Sequence, residues 1–301
     1  MYHRILPTSV HGAITVSEFK EQLDIISKHF RVMTLKELIT ANDKGDRTDN
    51  VVVLTFDDGY YDFYQYAFPI LKERGLSATL FITTGFVDKN LWLWPDQLMY
   101  CLKNSKKNKV FVEALGKQYY LPEETIKCWH DIANLCLSLD EELKNATVNR
   151  VFENTGVTKL VNPPNEYSAV TWEQLAEMVD DGLEVGSHSH THPILTRVGS
   201  GQLKNELIRP ISLIKRKLGL EDIGFCYPNG ESGDFNELVK KEVQSAGYIY
   251  GISAFPGLKP ISDRWELNRY PANKNKNLFE KNIFGLTYLR LKLKSAIFDL
   301  E

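Results

Sequence analysis

A run of apolar, mostly β-branched residues, Val51-Val52-Val53-Leu54-Thr55-Phe56, stops abruptly at Asp57-Asp58-Gly59. The run has the length and composition of a fully buried strand. Side chains alternate along a strand, so Asp57 and Asp58 start out pointing in opposite directions. Both reach one site only if the strand ends there and the backbone turns at Gly59. Two adjacent acids at a strand's carboxyl end suggest a division of labour, one binding a metal and the other handling a proton. A solvated Asp-Asp-Gly turn is the competing reading, and the stretch taken alone favours it.

The rest of the chain repeats a strand–loop–helix pattern. Residues 1–6 read as the end of a short strand. Residues 15–30 have helical periodicity, with Ser17 as a cap, and residues 35–40 continue as a short helix. A helix is expected over 62–74, closed by Gly75, with Pro69 kinking it or sitting in its first turn. A buried strand follows at 78–83. After Pro163-Pro164 the alternation resumes, with helices at 172–181, 202–218 and 235–246. Strands are expected at 183–187, 223–227 and 248–253, and one more at 265–270. Such units predict an α/β fold with a parallel sheet, open or closed as a barrel, and ligands sit beyond the carboxyl ends of its strands. The chain reads as one domain over residues 1–301. Residues 90–167 interrupt the pattern as a mostly helical insertion with a small hairpin at 110–121, and it carries no convergent acids or histidines. Trp92 and Trp94 within it suit either a core or a sugar face, and core is favoured.

The 301 residues carry a formal charge of −3, which gives no electrostatic case for nucleic acid. Cys101, Cys128, Cys136 and Cys226 form no Cys-x-x-Cys pair, so neither a disulfide framework nor a zinc knuckle is indicated. The amino terminus lacks the apolar segment of a signal peptide, and no run of about 18 apolar residues suggests a membrane span. The expectation is a soluble cytoplasmic protein. Residues 279–298 mix lysines with leucines and could lie weakly on an anionic membrane surface, but packing on the barrel is favoured.

Three of the seven histidines fall in His188-Ser189-His190-Thr191-His192, directly after the strand at 183–187. On a helix or tight turn, His188 and His192 face one side. With a carboxylate from Asp57 or Asp58 they make three protein ligands, the composition of a catalytic zinc-type site with open positions. His190 is left as structural or supporting.

Thr55-Phe56-Asp57-Asp58-Gly59 together with the His-Ser-x-x-His stretch His188–His192 resembles the polysaccharide deacetylase family with the NodB homology domain, carbohydrate esterase family 4. The resemblance runs over residues 51–253, excluding the insertion. It implies a distorted (β/α) barrel, a divalent metal held by Asp-His-His, and hydrolysis of an N-acetyl group on a sugar. By that resemblance Asp57 is the general base, and Asp58, His188 and His192 hold the metal. Zinc is foremost; Co2+, Ni2+ or Mn2+ are alternatives. Tyr227-Pro228-Asn229-Gly230 resembles the family's third motif, with the Asn229 N–H as an oxyanion donor. Two departures stand out. Cys226 occupies the place of an arginine that orients the base, a job that Arg269, or less favourably Arg264, is left to fill. The late Leu-x-His that supplies the acid is absent. However, Tyr2-His3-Arg4 resembles the opening of members whose motif order is circularly permuted, such as those acting on poly-N-acetylglucosamine, so His3 is a candidate acid. The expected partner is an N-acetylated carbohydrate. An amidase for another N-acyl group such as formyl, or a glycan-binding member without turnover, are the alternatives.

Overall fold

Residues 1–298 are described by the structure, a computed structural model. Arg4–Leu6 (β1) pairs in parallel with Ala13–Thr15 (β2), and Arg31–Met33 (β3) pairs likewise with Val51–Val53 (β4). After a break at Leu54, Thr55–Phe56 (β5) pairs with Thr79–Ile82 (β6). Lys109–Val112 (β7) and Lys117–Tyr120 (β8) form a separate antiparallel hairpin. Glu184–Ser187 (β9), Phe225–Cys226 (β10) and Gly251–Ile252 (β11) complete a parallel sheet in the order β11-β10-β9-β6-β5.

Backbone hydrogen bonds carry this sheet round towards closure. At one edge Leu267 forms a parallel bridge with Ile252, and at the other Tyr2 forms one with Phe56. The two outer segments then meet: the Ala272 N–H donates to the Met1 carbonyl at 2.9 Å, and Met1 N donates to the Tyr270 carbonyl at 3.0 Å. The result is a distorted barrel. All the strands of the main sheet end on one side, and residues 2–3 and 267–270 are brought beside β5.

Several expected elements are built differently. The 51–56 run is not one buried strand. Val51–Val53 is half-buried and pairs with β3, and only Thr55–Phe56 enters the central sheet. Thr15, not Ser17, caps the first helix, Val16–His29, through a capping box with Glu18. The 62–74 helix opens with a π turn, Phe63–Ala67, before Phe68–Glu73. Pro69 has no N–H to continue the ladder, and the Phe68 N–H reaches back five residues to the Phe63 carbonyl. The 265–270 segment contributes a single bridge rather than a strand.

The main core joins β-strand and helix side chains such as Phe19, Leu23, Phe56, Leu80, Val185, Ile214 and Phe225. A separate apolar cluster, including Leu98, Tyr119, Ile132, Val148 and Phe152, lies within residues 90–167. Trp92 is buried, and Trp94 packs partly buried against that cluster, so neither offers an open face. The carboxyl-terminal segment splits at Gly285 into Lys276–Ile283 and Leu286–Phe298. Phe279 packs into the core, and Leu286, Leu289 and Leu293 are exposed. Among the described residues no helix is long and apolar enough to cross a membrane.

Candidate active site

The strand β5 ends at Phe56, and the backbone leaves it in left-handed conformations at Asp58 (φ 75°) and Gly59 (φ 88°). That reversal lets two consecutive carboxylates, which alternation would separate, face one cleft. The loop after β9 uses the same device at Ser189 (φ 65°) and His192 (φ 60°), which turns His192 back onto His188. Non-glycine residues in this region carry strain of about 1 kcal/mol or more, and such strain concentrates at functional sites. Asp57, Asp58, His3, His188, His192 and Asn229 all line a single cleft of about 1370 Å³.

Asp57 is buried and grips Arg269 in a two-pronged ion pair, Nη1–Oδ1 2.7 Å and Nη2–Oδ2 2.8 Å. Arg269 arrives from the segment that bridges to β11. Its Nη2 also donates to Cys226 Sγ at 3.0 Å, so the small thiol leaves room for a guanidinium approaching from the side. Burial alone would raise the Asp57 pKa. The Arg269 charge, followed by those of His188 and His3, outweighs it and holds the carboxyl well below the usual carboxylate range. Arg264 lies elsewhere, paired with Asp43 at the surface. His3 stands at the cleft mouth, its ring 46% exposed and Nε2 3.8 Å from Asp57 Oδ2.

Asp58 forms a different group. Its Oδ1 lies 3.7 Å from His188 Nε2 and 3.6 Å from His192 Nε2, and the two Nε2 atoms are 3.2 Å apart. Burial pushes the His188 imidazole down to about 4, and burial with the adjacent His188 charge pushes His192 well down, so both rings are neutral. The Nδ1 of His188 is 2.8 Å from the Cys226 carbonyl, which accepts a hydrogen bond from the Nδ1–H and so leaves the Nε2 lone pair facing Asp58. Among the described residues the Asp58 carboxylate accepts no hydrogen bond, although it is buried beside Asp57. Burial, then Asp57 and Asp96, pushes its pKa well above the ordinary value. A buried carboxylate without donors and converging imidazole nitrogens is a donor set that suits a divalent cation. A second grouping, Asp57, His188 and Cys226, is also compact. Arg269 already occupies both Asp57 oxygens and the thiol, so that set is spent.

Asn229 follows β10 in a left-handed turn (φ 53°), and among the described residues its backbone N–H meets no acceptor. His190 points away from the three donors, its Nδ1 2.9 Å from Thr84 Oγ1.

A model of the family described as polysaccharide deacetylase matches residues 44–251, more than half of the chain. The chain belongs to the polysaccharide deacetylase family. A Bacillus subtilis relative, YxkH, described as a candidate polysaccharide deacetylase, is 22% identical over 262 residues, 85% of this family member and 64% of YxkH. The poly-β-1,6-N-acetyl-D-glucosamine N-deacetylase of Staphylococcus epidermidis is 36% identical over 76 residues, 25% of this chain and 26% of that one. The chain thus spans less than two thirds of each of these relatives. Among solved structures, the Streptococcus pyogenes deacetylase PplD superposes with a TM-score of 0.62 at 18% identity, covering 94% of this chain and 96% of that one. IcaB from Ammonifex degensii gives 0.60 at 18% identity, covering 94% and 93%. These likenesses carry the fold.

The deacetylase-family site also uses residues that sequence reasoning missed. Glu206, 2% exposed, accepts the His190 and Thr191 N–H groups at 2.8 and 2.7 Å and the Thr191 hydroxyl at 2.6 Å, tying down the histidine loop. Its signal was an acid on the apolar face of the helix Ser200–Leu218, between Leu203 and Leu207. Asp96 corrects the expectation that residues 90–167 bring no acid to the site. It lines the cleft and accepts the Tyr60 hydroxyl at 2.7 Å, and burial raises its pKa to about 6.

Proposed function

We propose that this chain is a metal-dependent hydrolase that removes an N-acetyl group from an amino-sugar unit of a polysaccharide or its precursor. The observation that carries the proposal is the pairing, in one cleft, of the Asp58–His188–His192 donor set with the ion-paired carboxylate of Asp57. Membership of the family supports the same reading. A divalent ion held by Asp58, His188 and His192, zinc by the composition of the set, would polarise the acetamide carbonyl and make a water more acidic.

The chain's own residues account for the remaining steps. Asp57, kept ionised by Arg269, accepts the proton of the attacking water. Arg269 fixes the plane of that carboxylate so that it faces the cleft. The water oxygen forms a bond to the acetamide carbon, and the Asn229 N–H, free of other acceptors, donates to the oxygen that gains charge. The C–N bond then breaks. The proton that Asp57 took from the water passes to the His3 imidazole, whose Nε2 lies 3.8 Å from Asp57 Oδ2, and from there to the departing amine, which returns both groups to their starting states. Acetate and a free amino sugar are the products. In this reading residues 90–167 are an insertion within one deacetylase domain.

Acetate release from N-acetylglucosamine oligomers, assayed with and without a chelator, tests the proposal. We expect activity that the chelator abolishes and that Asp58→Ala and His188→Ala reduce by on the order of a thousandfold or more. Full turnover in either variant would sink the mechanism. Release of formate or another acid from N-acyl analogues, in place of acetate, would redirect it to a different acyl group.

A further inference from the structure

The cleft is larger than the chemistry at its floor requires. Its volume of about 1370 Å³ exceeds the roughly 300–1,000 Å³ of pockets that enclose a drug-sized ligand. Residues 90–167 supply one wall, and a line of contacts runs outward along it from the carboxylates. Tyr60, two residues past Asp58, donates its hydroxyl to Asp96 Oδ2. Among the described residues the other Asp96 oxygen accepts no hydrogen bond, although the residue is only 9% exposed and lines the cleft. Next to Asp96, the Pro95 carbonyl accepts the Trp129 indole N–H at 2.9 Å. Trp129 meets His11 and His130 edge to face, with ring centroids 5.4 and 5.1 Å away.

These contacts define what the wall offers. The indole N–H is already used, so Trp129 presents only ring surface to the cleft, in an orientation set by three neighbours. A fixed, half-buried ring gains contact without paying much ordering entropy. A pyranose has an apolar C–H face and hydroxyl donors at its rim. The ring surface suits the first, and the free Asp96 oxygen suits the second.

We propose that Trp129 and Asp96 form a sugar subsite outside the hydrolytic centre, which holds a neighbouring pyranose unit of an oligosaccharide. The proposal rests on the reading that the substrate is a carbohydrate. It makes the preferred ligand a chain of sugars rather than a single amino sugar, with residues 90–167 as the element that measures it.

Binding calorimetry with chelator present, where the proposed function expects no turnover, separates this from hydrolysis, and acetate release is followed separately with zinc restored. The probes are N-acetylglucosamine, chitopentaose and the β-1,6-linked pentamer, the last chosen for the linkage in the staphylococcal relative's name. We expect wild type to bind at least one pentamer on the order of tenfold or more tighter than the monomer. In Trp129→Ala that ratio should fall close to unity, and in Trp129→Phe most of it should survive. Should Trp129→Ala fail to fold by circular dichroism, Trp129→Leu keeps the bulk without the flat ring and should lose the ratio in the same way. Asp96→Asn should weaken the pentamer more than the monomer. Equal affinity for monomer and both pentamers in wild type, no binding of any probe, or a ratio unaffected by Trp129→Ala would each overturn the subsite. Length-dependent, Trp129-dependent binding without acetate release would instead uphold the subsite and remove the hydrolase reading.

Discussion

Arg269 shows how a single side chain sets the state of another. A carboxylate as buried as Asp57 would ordinarily be pushed towards protonation, and the guanidinium fork reverses this. Because its folded-state pKa lies below the unfolded value, the pair contributes stability that is present at neutral pH. That contribution is lost only as pH falls through the depressed value, below the usual carboxylate range. Arg269→Gln removes the charge and leaves burial in control, so the Asp57 pKa should rise. If Asp57 is the base, activity must then fail at higher pH than in wild type. We expect the acid limb of the kcat/KM profile to move up by about one to three units, with maximal kcat also reduced. Arg269→Lys, which keeps the charge without the fork, should show a smaller shift. An acid limb that stays in place in both variants would mean that a group other than Asp57 governs it. The exchange also carries a structural cost, since breaking one side of a buried pair costs about 3–5 kcal/mol, so melting curves must accompany the profiles.

Short strands hold this barrel together by laying rings over glycines. Phe81 of β6 covers Gly186 of β9, Tyr250 covers Gly224 just before β10, and Tyr227 covers Gly251 of β11. At Gly224 an added Cβ would lie 1.9 Å from Tyr250 Cζ, and Tyr250 is pinned at its far end by a hydrogen bond to Glu184 Oε1 at 2.5 Å. Gly224→Ala is therefore expected to cost about 1–3 kcal/mol, read as a lower urea midpoint with an unchanged slope. A neutral substitution would mean that the ring swings aside freely. The same elements explain what was legible in the sequence. Helices with caps and glycine stops, such as Trp172–Asp180 after Thr171 and Ser200–Leu218 before Gly219, announce themselves through periodicity. Strands two residues long do not, because alternation needs several residues to register. The break at Leu54 was hidden for a related reason: composition reports that Val51 to Phe56 prefers strand, but not that the chain changes partner midway. Asp57, Asp58, His188 and His192 could be grouped because both motifs are local and sit at strand ends. Glu206, Asp96 and Trp129 act across the fold, and only their neighbours in space give them meaning.

At the scale of the whole molecule, the donor set ties together elements distant in the chain. Asp58 follows β5, the histidines follow β9, and the Cys226 carbonyl that orients His188 belongs to β10. A cation bound there would bind only the folded chain, so its binding energy would add to global stability. At a free concentration about a thousand times its Kd the gain is about 4 kcal/mol, which for a chain of this size corresponds to a Tm change of roughly 6 °C. Chelation should therefore lower the Tm by about that much, and restoring zinc should reverse the loss. Without the cation, Asp58 is a buried acid beside a second carboxylate, and that repulsion is relieved in Asp58→Asn. This variant should melt close to, or above, chelated wild type and should not respond to zinc. Scanning calorimetry of both proteins, with chelator and with zinc, separates the outcomes. A wild-type Tm indifferent to both would show that the three donors do not hold a cation that matters to the fold, and an Asp58→Asn protein still stabilised by zinc would place the bound ion elsewhere.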